Sequence, residues 1–271
     1  MPIPPPLEKR KLLLWTKRLL REHGIRPRRR YSQNFVINPR LILDILEFVN
    51  PELSTIEIGS GLGTLSYFLS RKIKNNLMLF EVDDKLALIT EQLIDPRHIV
   101  VVGDALDFNW YSEQVVSNAP YHMTSHILIK LVRSNNVKYA ILVLQKDVVD
   151  RLIAKPGTSE YGRLTIIVNT VFKVEPGPIY SPYDFYPAPE VSSRLIVLSR
   201  VKEYDSNLAF LEDLTRRLFS KRRKKLGKVL REEYGLDEET LVKLGMNPSL
   251  RVYELSIGDL LRLVDYVKNL N

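Results

Sequence analysis

Short apolar runs alternate with amphipathic stretches through the first part of the chain. A short apolar run bounded by turn formers is typical of a buried strand, whereas apolar residues recurring every three or four positions indicate a helix. The pattern predicts strands at 55–58, 77–82, 99–102, 115–117 and 139–144, and helices at 7–23, 39–49, 64–72, 85–93 and 124–132. This alternation predicts an α/β fold with a mostly parallel sheet and helices on both faces.

The pattern changes in the last third of the chain. Two apolar runs at 164–174 and 194–201 predict an antiparallel edge, separated by a Pro-rich loop at 176–189. Beyond about residue 202 the pattern is helical only, at 208–219, 224–233, 238–244 and 257–267. We therefore expect two domains: residues 1–201, with a basic N-terminal helix and loop, and a small all-α domain at 202–271.

Composition narrows the class of protein. The chain has no Cys, which excludes disulfides and thiolate metal sites. No apolar run is long enough to span a bilayer, and the start lacks the order of a secretory signal. We expect a cytoplasmic protein that acts as a monomer without a membrane partner.

Positive charge is concentrated in two places. Residues 1–30 hold ten Lys or Arg and two Glu, which accounts for the net charge of +8. Residues 216–231 hold nine basic residues and no acid. Such blocks are often only solvated faces, but two of them around a neutral centre favour contacts with nucleic-acid phosphates. We expect RNA contacts at Arg28-Arg29-Arg30 and at Lys221-Arg222-Arg223.

A glycine-rich turn follows the first predicted strand, in the segment Gly59-Ser60-Gly61-Leu62-Gly63-Thr64. Glycines there let the backbone approach a ligand, and the next helix offers free N–H groups. Dinucleotide enzymes carry a third glycine where Thr64 stands. The turn by itself fits a ligand site and a structural loop equally well.

Polar side chains end the next three predicted strands. Glu81 can accept from both hydroxyls of a ribose, Asp104 can accept from an adenine amine, and Asn118 follows at the next strand. Because the carboxyl ends of parallel strands share one edge of a sheet, we expect one crevice there. An adenosine ligand without a diphosphate fits best, which favours S-adenosylmethionine, with S-adenosylhomocysteine as its product.

The tetrapeptide Asn118-Ala119-Pro120-Tyr121 suits a flat base that bears an exocyclic amine. The side-chain carbonyl of Asn118 and the backbone carbonyl of Ala119 can each accept one N–H, and Tyr121 offers a ring for stacking. An ordinary strand-to-turn exit is the alternative for this tetrapeptide, because Asn and Pro are turn formers.

Taken in order, the motifs resemble those of small-subunit rRNA adenine dimethyltransferases of the KsgA type, which are related to the Erm methylases. The resemblance runs from about Arg30 to the C-terminus. It rests on Ser32-Gln33-Asn34-Phe35, Glu57-Ile58-Gly59-Ser60-Gly61, Glu81-Val82-Asp83, Gly103-Asp104-Ala105, Asn118-Ala119-Pro120-Tyr121, Gln145-Lys146-Asp147, Arg151-Leu152-Ile153-Ala154-Lys155-Pro156-Gly157, Tyr161-Gly162-Arg163-Leu164 and Phe185-Tyr186-Pro187-Ala188-Pro189-Glu190-Val191-Ser192-Ser193.

The resemblance implies a Rossmann-like S-adenosylmethionine-dependent methyltransferase domain and a dimethyladenosine product. It implies that Asn34 and Val36 line the methionine end of the cofactor. It also implies roles in cofactor binding for Gly59, Gly61, Glu81, Asp104 and Asn118, and stacking of the adenine between Tyr121 and Phe185. The place of Phe185 before Pro187-Ala188-Pro189 in a predicted loop favours an exposed ring. Ser32 stands where the family has Gly, and Ala119 where it has Leu or Ile.

The expected catalysis uses no metal and no conventional base. His122 and His126 have a spacing that suits a metal on a helix, but no third ligand is evident in the sequence. The expected partner is small-subunit rRNA or an immature small subunit, with a role in ribosome biogenesis. Two alternatives stay open: an assembly factor that binds rRNA without relying on turnover, and an oxidoreductase that uses a nicotinamide dinucleotide.

Overall fold

The computed structural model describes residues 3–28 and 33–269. The predictions for Arg29, Arg30 and Ser32 lie outside these residues. Contacts divide the chain into two compact units. The first contains the chain up to Val149 and Val174–Arg200, and the second contains Asp150–Lys173 and the chain from Val201 on. The structure thus groups residues 150–173 with the C-terminal helices. The domain boundary expected from the sequence, at residue 201, placed them in the first domain.

Nine strands form two sheets among the described residues. They are β1 Phe35–Val36, β2 Thr55–Ile58, β3 Leu77–Glu81, β4 Ile99–Val102, β5 Gln114–Asn118, β6 Tyr139–Gln145, β7 Phe172–Tyr180, β8 Phe185–Tyr186 and β9 Ser193–Arg200. The main sheet has the order β4-β3-β2-β5-β6-β9-β7. Strands β2 to β6 pair in parallel, and β9 runs antiparallel to β6. Strands β1 and β8 pair separately.

Eleven α-helices lie between and after these strands in the described chain. They are α1 Lys9–Glu22, α2 Pro39–Phe48, α3 Thr64–Lys72, α4 Asp84–Leu93, α5 Thr124–Arg133, α6 Lys146–Leu152, α7 Arg163–Val171, α8 Ser206–Ser220, α9 Leu226–Tyr234, α10 Glu238–Lys243 and α11 Ile257–Lys268. In the described part of the chain, none is both long and apolar enough to cross a bilayer. The α/β class predicted from the sequence is confirmed.

The order in which the chain adds strands to the sheet reverses between β2 and β5. From β2 the chain builds outward through β3 and β4, and then returns to place β5 on the other side of β2. Such a reversal opens a crevice at the carboxyl ends of the two central strands, and ligands of α/β proteins bind there. The residues after β2 and β5 are therefore the ones to inspect for function.

The predicted antiparallel edge at 164–174 is wrong for most of its length, because Arg163–Val171 forms α7. The run is rich in β-branched residues, which favours a strand. In the structure it is buried on almost every side, and the Thr165 hydroxyl donates to the Arg151 carbonyl (2.7 Å). The Pro-rich loop at 176–189 is also corrected, since its first part continues β7 and a later part forms β8.

Among the described residues, the part of the second unit after Val201 forms helices and no strand, as the sequence predicts. Three of its helices begin at side chains that cap free backbone N–H groups: Asp205 at α8, Asp237 at α10 and Ser256 at α11. Helices α7 and α8 pack together within this unit. Its core is aliphatic, with buried residues that include Leu211, Leu214, Leu218, Leu230, Leu260 and Leu263.

Candidate active site

A cavity lies at the carboxyl edge of the sheet, and the glycine-rich turn after β2 forms part of its wall. Gly59 and Gly63 both have a φ of 74°, a left-handed conformation that favours glycine. Space is limiting at Gly63, where a Cβ would lie 3.1 Å from the Thr90 Cα. At Gly59 a Cβ would make an ordinary contact with the Pro120 side chain, at 3.6 Å. The turn therefore has to be glycine-rich to bring its backbone this close to the neighbouring loops.

Glu81, the last residue of β3, lies across this turn and lines the same cavity. Its Oε2 accepts from the Gly61 N–H (2.8 Å), and its Oε1 accepts from the Asp83 N–H (3.0 Å). Burial raises the pKa of the Glu81 carboxyl, and these backbone N–H groups oppose the rise. Each carboxylate oxygen has a further lone pair, so the carboxylate is suited to accept from two hydroxyls of a ligand.

Asp104 follows β4 and lines the cavity beside Glu81. Its Oδ1 accepts from the Leu106 N–H (2.8 Å), which caps a 3-10 turn at Ala105–Asp107. This bond fixes the carboxylate and leaves Oδ2 as the oxygen suited to a ligand amine. Asn34 and Val36 also line the cavity, from the segment that contains β1.

Asn118, the last residue of β5, is oriented by a bond across the cavity. Its Nδ2 donates to the Asn34 carbonyl (3.2 Å), so Oδ1 is the atom of this amide that can accept from a substrate amine. The Ala119 N–H donates to the Val143 carbonyl (3.1 Å) on the neighbouring strand. The cavity wall includes Asn118 and Pro120 but neither Ala119 nor Tyr121.

The Tyr121 ring is half-buried, and Tyr121 is the first residue of a 3-10 turn at Tyr121–Met123. Its hydroxyl lies 2.7 Å from the Ser193 hydroxyl, the first residue of β9. Burial raises the pKa of the Tyr121 phenol, and the Ser193 bond opposes the rise. The ring is thus anchored at its polar end, and its stacking role stays a prediction.

The exposure expected for Phe185 is wrong. Its side chain is 2 % exposed and belongs to the main hydrophobic core. The reason is strand pairing: Val36 pairs with Phe185, and Phe35 pairs with Tyr186, so β8 lies against β1 instead of forming an open loop. A stacking role for Phe185 stays a prediction, and it requires this ring to leave the core.

The cavity is acidic although the protein is basic. Three carboxyl groups line it, those of Glu57, Glu81 and Asp104, and the described lining contains no Lys or Arg. Glu57 is buried within β2, and its Oε2 has no hydrogen-bond partner among the described residues. Burial raises the pKa of the Glu57 carboxyl to about 8, and the neighbouring Glu81 carboxylate adds to the rise. A cationic ligand suits this lining better than a phosphate.

Two lining residues had no role in the sequence interpretation. Glu57 was named only as a member of the motif Glu57-Ile58-Gly59-Ser60-Gly61. A charged residue inside an otherwise apolar strand could have indicated a functional position. Gln33 lines the cavity, and its Nε2 is buried with no partner among the described residues. Nothing in the sequence pattern distinguishes Gln33 from an ordinary loop residue.

The two candidate metal-ligating histidines lie on different elements. His122 is in the 3-10 turn at Tyr121–Met123, whereas His126 is in α5, and both are exposed. In the described part of the chain, no cluster of three or more His, Cys, Asp or Glu side chains is arranged to hold a metal.

The fold is Rossmann-like, and the candidate ligand site lies at the switch point of its sheet. The profile of the family described as "Ribosomal RNA adenine dimethylase" matches residues 24–269. The chain belongs to this family, as the resemblance at the sequence level predicted.

Individual relatives agree with the family profile. The chain is 36% identical over 223 residues to a "Probable ribosomal RNA small subunit methyltransferase A" of Pyrobaculum islandicum, covering 80% of this chain and 94% of the relative. It is 33% identical over 268 residues to the protein of the same description from Methanothermobacter thermautotrophicus, covering 94% and 96% of the two chains.

Two solved structures share the fold. A dimethyladenosine transferase from Plasmodium falciparum aligns with a TM-score of 0.78 at 23% identity, over 87% of this chain and 98% of that one. The 23S rRNA methyltransferase ErmE aligns with a TM-score of 0.68 at 24% identity, over 87% and 100% of the two chains. The predicted fold class, a methyltransferase fold with a helical C-terminal region, is confirmed.

Proposed function

We propose that this protein transfers methyl groups from S-adenosylmethionine to the 6-amino group of adenines in small-subunit rRNA, with dimethyladenosine as the product. One observation carries the proposal: a single cavity collects Gly59, Glu81, Asp104 and Asn118 from the ends of four parallel strands. An adenosine-binding set and an amine-binding amide are thereby within one site. The family supports the same activity, with a role in biogenesis of the small subunit.

The residues of the cavity fit S-adenosylmethionine. Glu81 can accept from the ribose hydroxyls, and Asp104 from the adenine amine. The described lining has no cation that would bind a diphosphate, and the carboxylates of Glu81 and Asp104 favour a positively charged ligand. When bound, this cofactor supplies an electrophilic methyl group on a sulfonium.

The chain's own contribution to the reaction is positioning. The nitrogen of an adenine amine is a poor nucleophile because its lone pair is delocalised into the ring. Asn118 Oδ1 and the Ala119 carbonyl can accept its two N–H groups and aim the lone pair at the methyl carbon. Both oxygens also favour the positive charge that develops on the nitrogen, more than they favour the planar ground state. The proton then leaves to water.

RNA binding by the second unit rests on arginines around an open cavity. Arg222, Arg223 and Arg251 line it together with Tyr253. The Arg222 guanidinium donates to the Ser159 carbonyl (2.8 Å) and lies 5.6 Å from the centre of the Tyr253 ring. Converging guanidinium groups are suited to bind the phosphates of structured RNA.

Lys221 differs from its basic neighbours. Its Nζ lies 2.8 Å from a Glu233 oxygen and 3.0 Å from a Glu232 oxygen. A lysine already paired with two carboxylates has less to offer a phosphate. We therefore assign the RNA contact of the sequence motif to Arg222 and Arg223, joined by Arg251.

The Asn118→Ala variant tests the proposal. We expect it to retain binding of S-adenosylmethionine and of rRNA, and to lose methyl transfer by about 100- to 1000-fold, the usual cost of removing one group that stabilises developing charge. The matched control is Asn75→Ala, which changes an exposed asparagine at the opposite edge of the sheet. It should methylate like the wild type.

Binding measurements distinguish the two alternatives from the proposal. Titration of the purified protein with S-adenosylmethionine should saturate, and titration with NAD should not. Saturation by NAD alone would favour the oxidoreductase. Binding of rRNA without methyl transfer by the wild type would favour an assembly factor, and equal activity of wild type and Asn118→Ala would contradict the assigned role of the amide.

A further inference from the structure

Helix α1 exposes a continuous basic surface, which we call the basic face of α1. Positions 10, 14, 17 and 21 recur at helical spacing and lie on one side of the helix, with 11 and 18 next to them. The face is about 16 Å long at 1.5 Å per residue. The opposite side of α1 is buried in the core through Leu12, Trp15 and Leu19. The basic face consists of Arg10, Lys11, Lys17, Arg18 and Arg21.

Two lysines connect α1 to the segment that contains β8. Lys9 Nζ lies 2.6 Å from Asp184 Oδ1, immediately before β8. Lys17 Nζ lies 5.0 Å from the centre of the Tyr186 ring, in β8 itself. Tyr186 pairs with Phe35, whose segment lines the cavity. Helix α1 therefore contacts the segment of β8, and the partner strand β1 lines the wall of the cavity.

The charges of this face are only partly neutralised. Glu8 pairs with Lys11 at 2.6 Å, and Glu22 lies 3.7 Å from Arg18. The side chains of Arg10 and Arg21 make no hydrogen bond or ion pair with the described residues. These two arginines lie on the same side of the helix, so their guanidinium groups are available to one extended anion.

We propose that the basic face of α1 binds the phosphate backbone of the RNA next to the target adenine, an inference that rests on the proposed function. Helix α1 lies outside the family match, which begins at residue 24. Charge complementarity favours RNA over a membrane. The one large apolar side chain exposed on the described helix is Leu14, which is too little to enter a bilayer.

The test compares two double variants of the full chain. Arg10→Gln with Arg21→Gln removes two charges from the basic face. The matched control, Lys74→Gln with Lys138→Gln, removes two exposed charges that precede β3 and β6, at the opposite edge of the sheet. The probe is small-subunit rRNA transcribed in vitro, and its dissociation constant is measured by filter binding from 0.1 to 0.4 M potassium chloride.

The expected result follows from counterion release. Losing two phosphate contacts should lower the slope of log affinity against log salt by about 1.4 to 1.8, and weaken binding about 25- to 60-fold at 0.1 M salt. The control should keep the wild-type slope. Thermal melts of all three proteins should coincide, because every substituted side chain is exposed.

Each other outcome overturns a defined part of the account. Wild-type slope and affinity in the Arg10/Arg21 variant would overturn the role of α1 and leave the proposed function intact. An equal loss in both double variants would overturn it too, because it would show an effect of net charge alone. A wild-type protein that does not bind this RNA would overturn the inference, and methylation of small subunits would then decide the proposed function separately.

Discussion

The buried carboxyl of Glu57 makes the stability of this protein depend on pH in a defined direction. Burial raises its pKa to about 8 in the folded protein, from an ordinary value of 4.5. The unfolded chain therefore releases this proton near pH 4.5, whereas the folded protein keeps it to about pH 8. Between these values the folded state binds more protons, so the free energy of unfolding falls as pH rises.

The Glu57→Gln variant removes this dependence, because an amide does not titrate. Each pH unit is worth about 1.4 kcal/mol at most, so the stability of the variant relative to the wild type should improve by about 2–3 kcal/mol from pH 5 to pH 7. Comparing the change with pH cancels any fixed cost of burying the amide. Equilibrium unfolding in urea at pH 5, 6 and 7 measures the three differences.

Glu113→Gln is the control for this experiment. Its hydrogen bond and ion pair with Lys138 lower the pKa of the Glu113 carboxyl, so this carboxyl is ionised in both states from pH 5 to pH 7. Its substitution should shift stability by the same amount at each pH. If the Glu57→Gln profile also ran parallel to the wild type, Glu57 would be ionised in the folded protein, and the argument from burial would be refuted.

Three further substitutions test separate parts of the structure. Gly63→Ala should destabilise the fold by about 1–2 kcal/mol or more in urea unfolding, since a side chain is strained at this φ and meets the Thr90 backbone. An unchanged midpoint would contradict that. Tyr121→Phe should keep most methyl transfer and Tyr121→Ala should lose it, because the ring is the proposed stacking surface; equal activities would remove the stacking role. Arg251→Gln should weaken rRNA binding more than Lys221→Gln, whose lysine is already paired with two glutamates; the reverse order in filter binding would contradict the assignment.

Glycine and proline residues at the ends of helices and strands made much of the first unit predictable. Strand 55–58 and helix 64–72 were predicted with the bounds that the structure shows, because the glycine-rich turn separates them. The N-terminal helix was predicted to end before Gly24, and it ends at Glu22. Local signals of this kind are enough when the backbone conformation itself requires a particular residue.

Helix α7 shows where local signals fail. Its run of β-branched residues favours a strand, but the segment forms a helix that is buried on almost every side. Tertiary packing thus overrides the local propensity. The predicted exposure of Phe185 is wrong for a related reason, because the pairing of β8 with β1 joins segments far apart in sequence. Single-sequence patterns contain no information about such a pairing.

The candidate site was more predictable than the fold around it. Parallel strands place their carboxyl ends at one edge, so Glu81, Asp104 and Asn118 had to converge once their strands were recognised. Orientation was not predictable. The bond from Asn118 to the Asn34 carbonyl, which leaves the amide oxygen for a substrate, depends on a loop that the strand pattern does not describe.

Methylation of unmodified small ribosomal subunits is the most direct test of the central claim. The protein, methyl-labelled S-adenosylmethionine and the subunits are incubated together, and the labelled nucleotides are identified by digestion and mass spectrometry. We expect label on the 6-amino group of adenine as dimethyladenosine, and a loss of that label in Asn118→Ala. Label on another base or another adenine atom, or unchanged label in Asn118→Ala, would contradict the account.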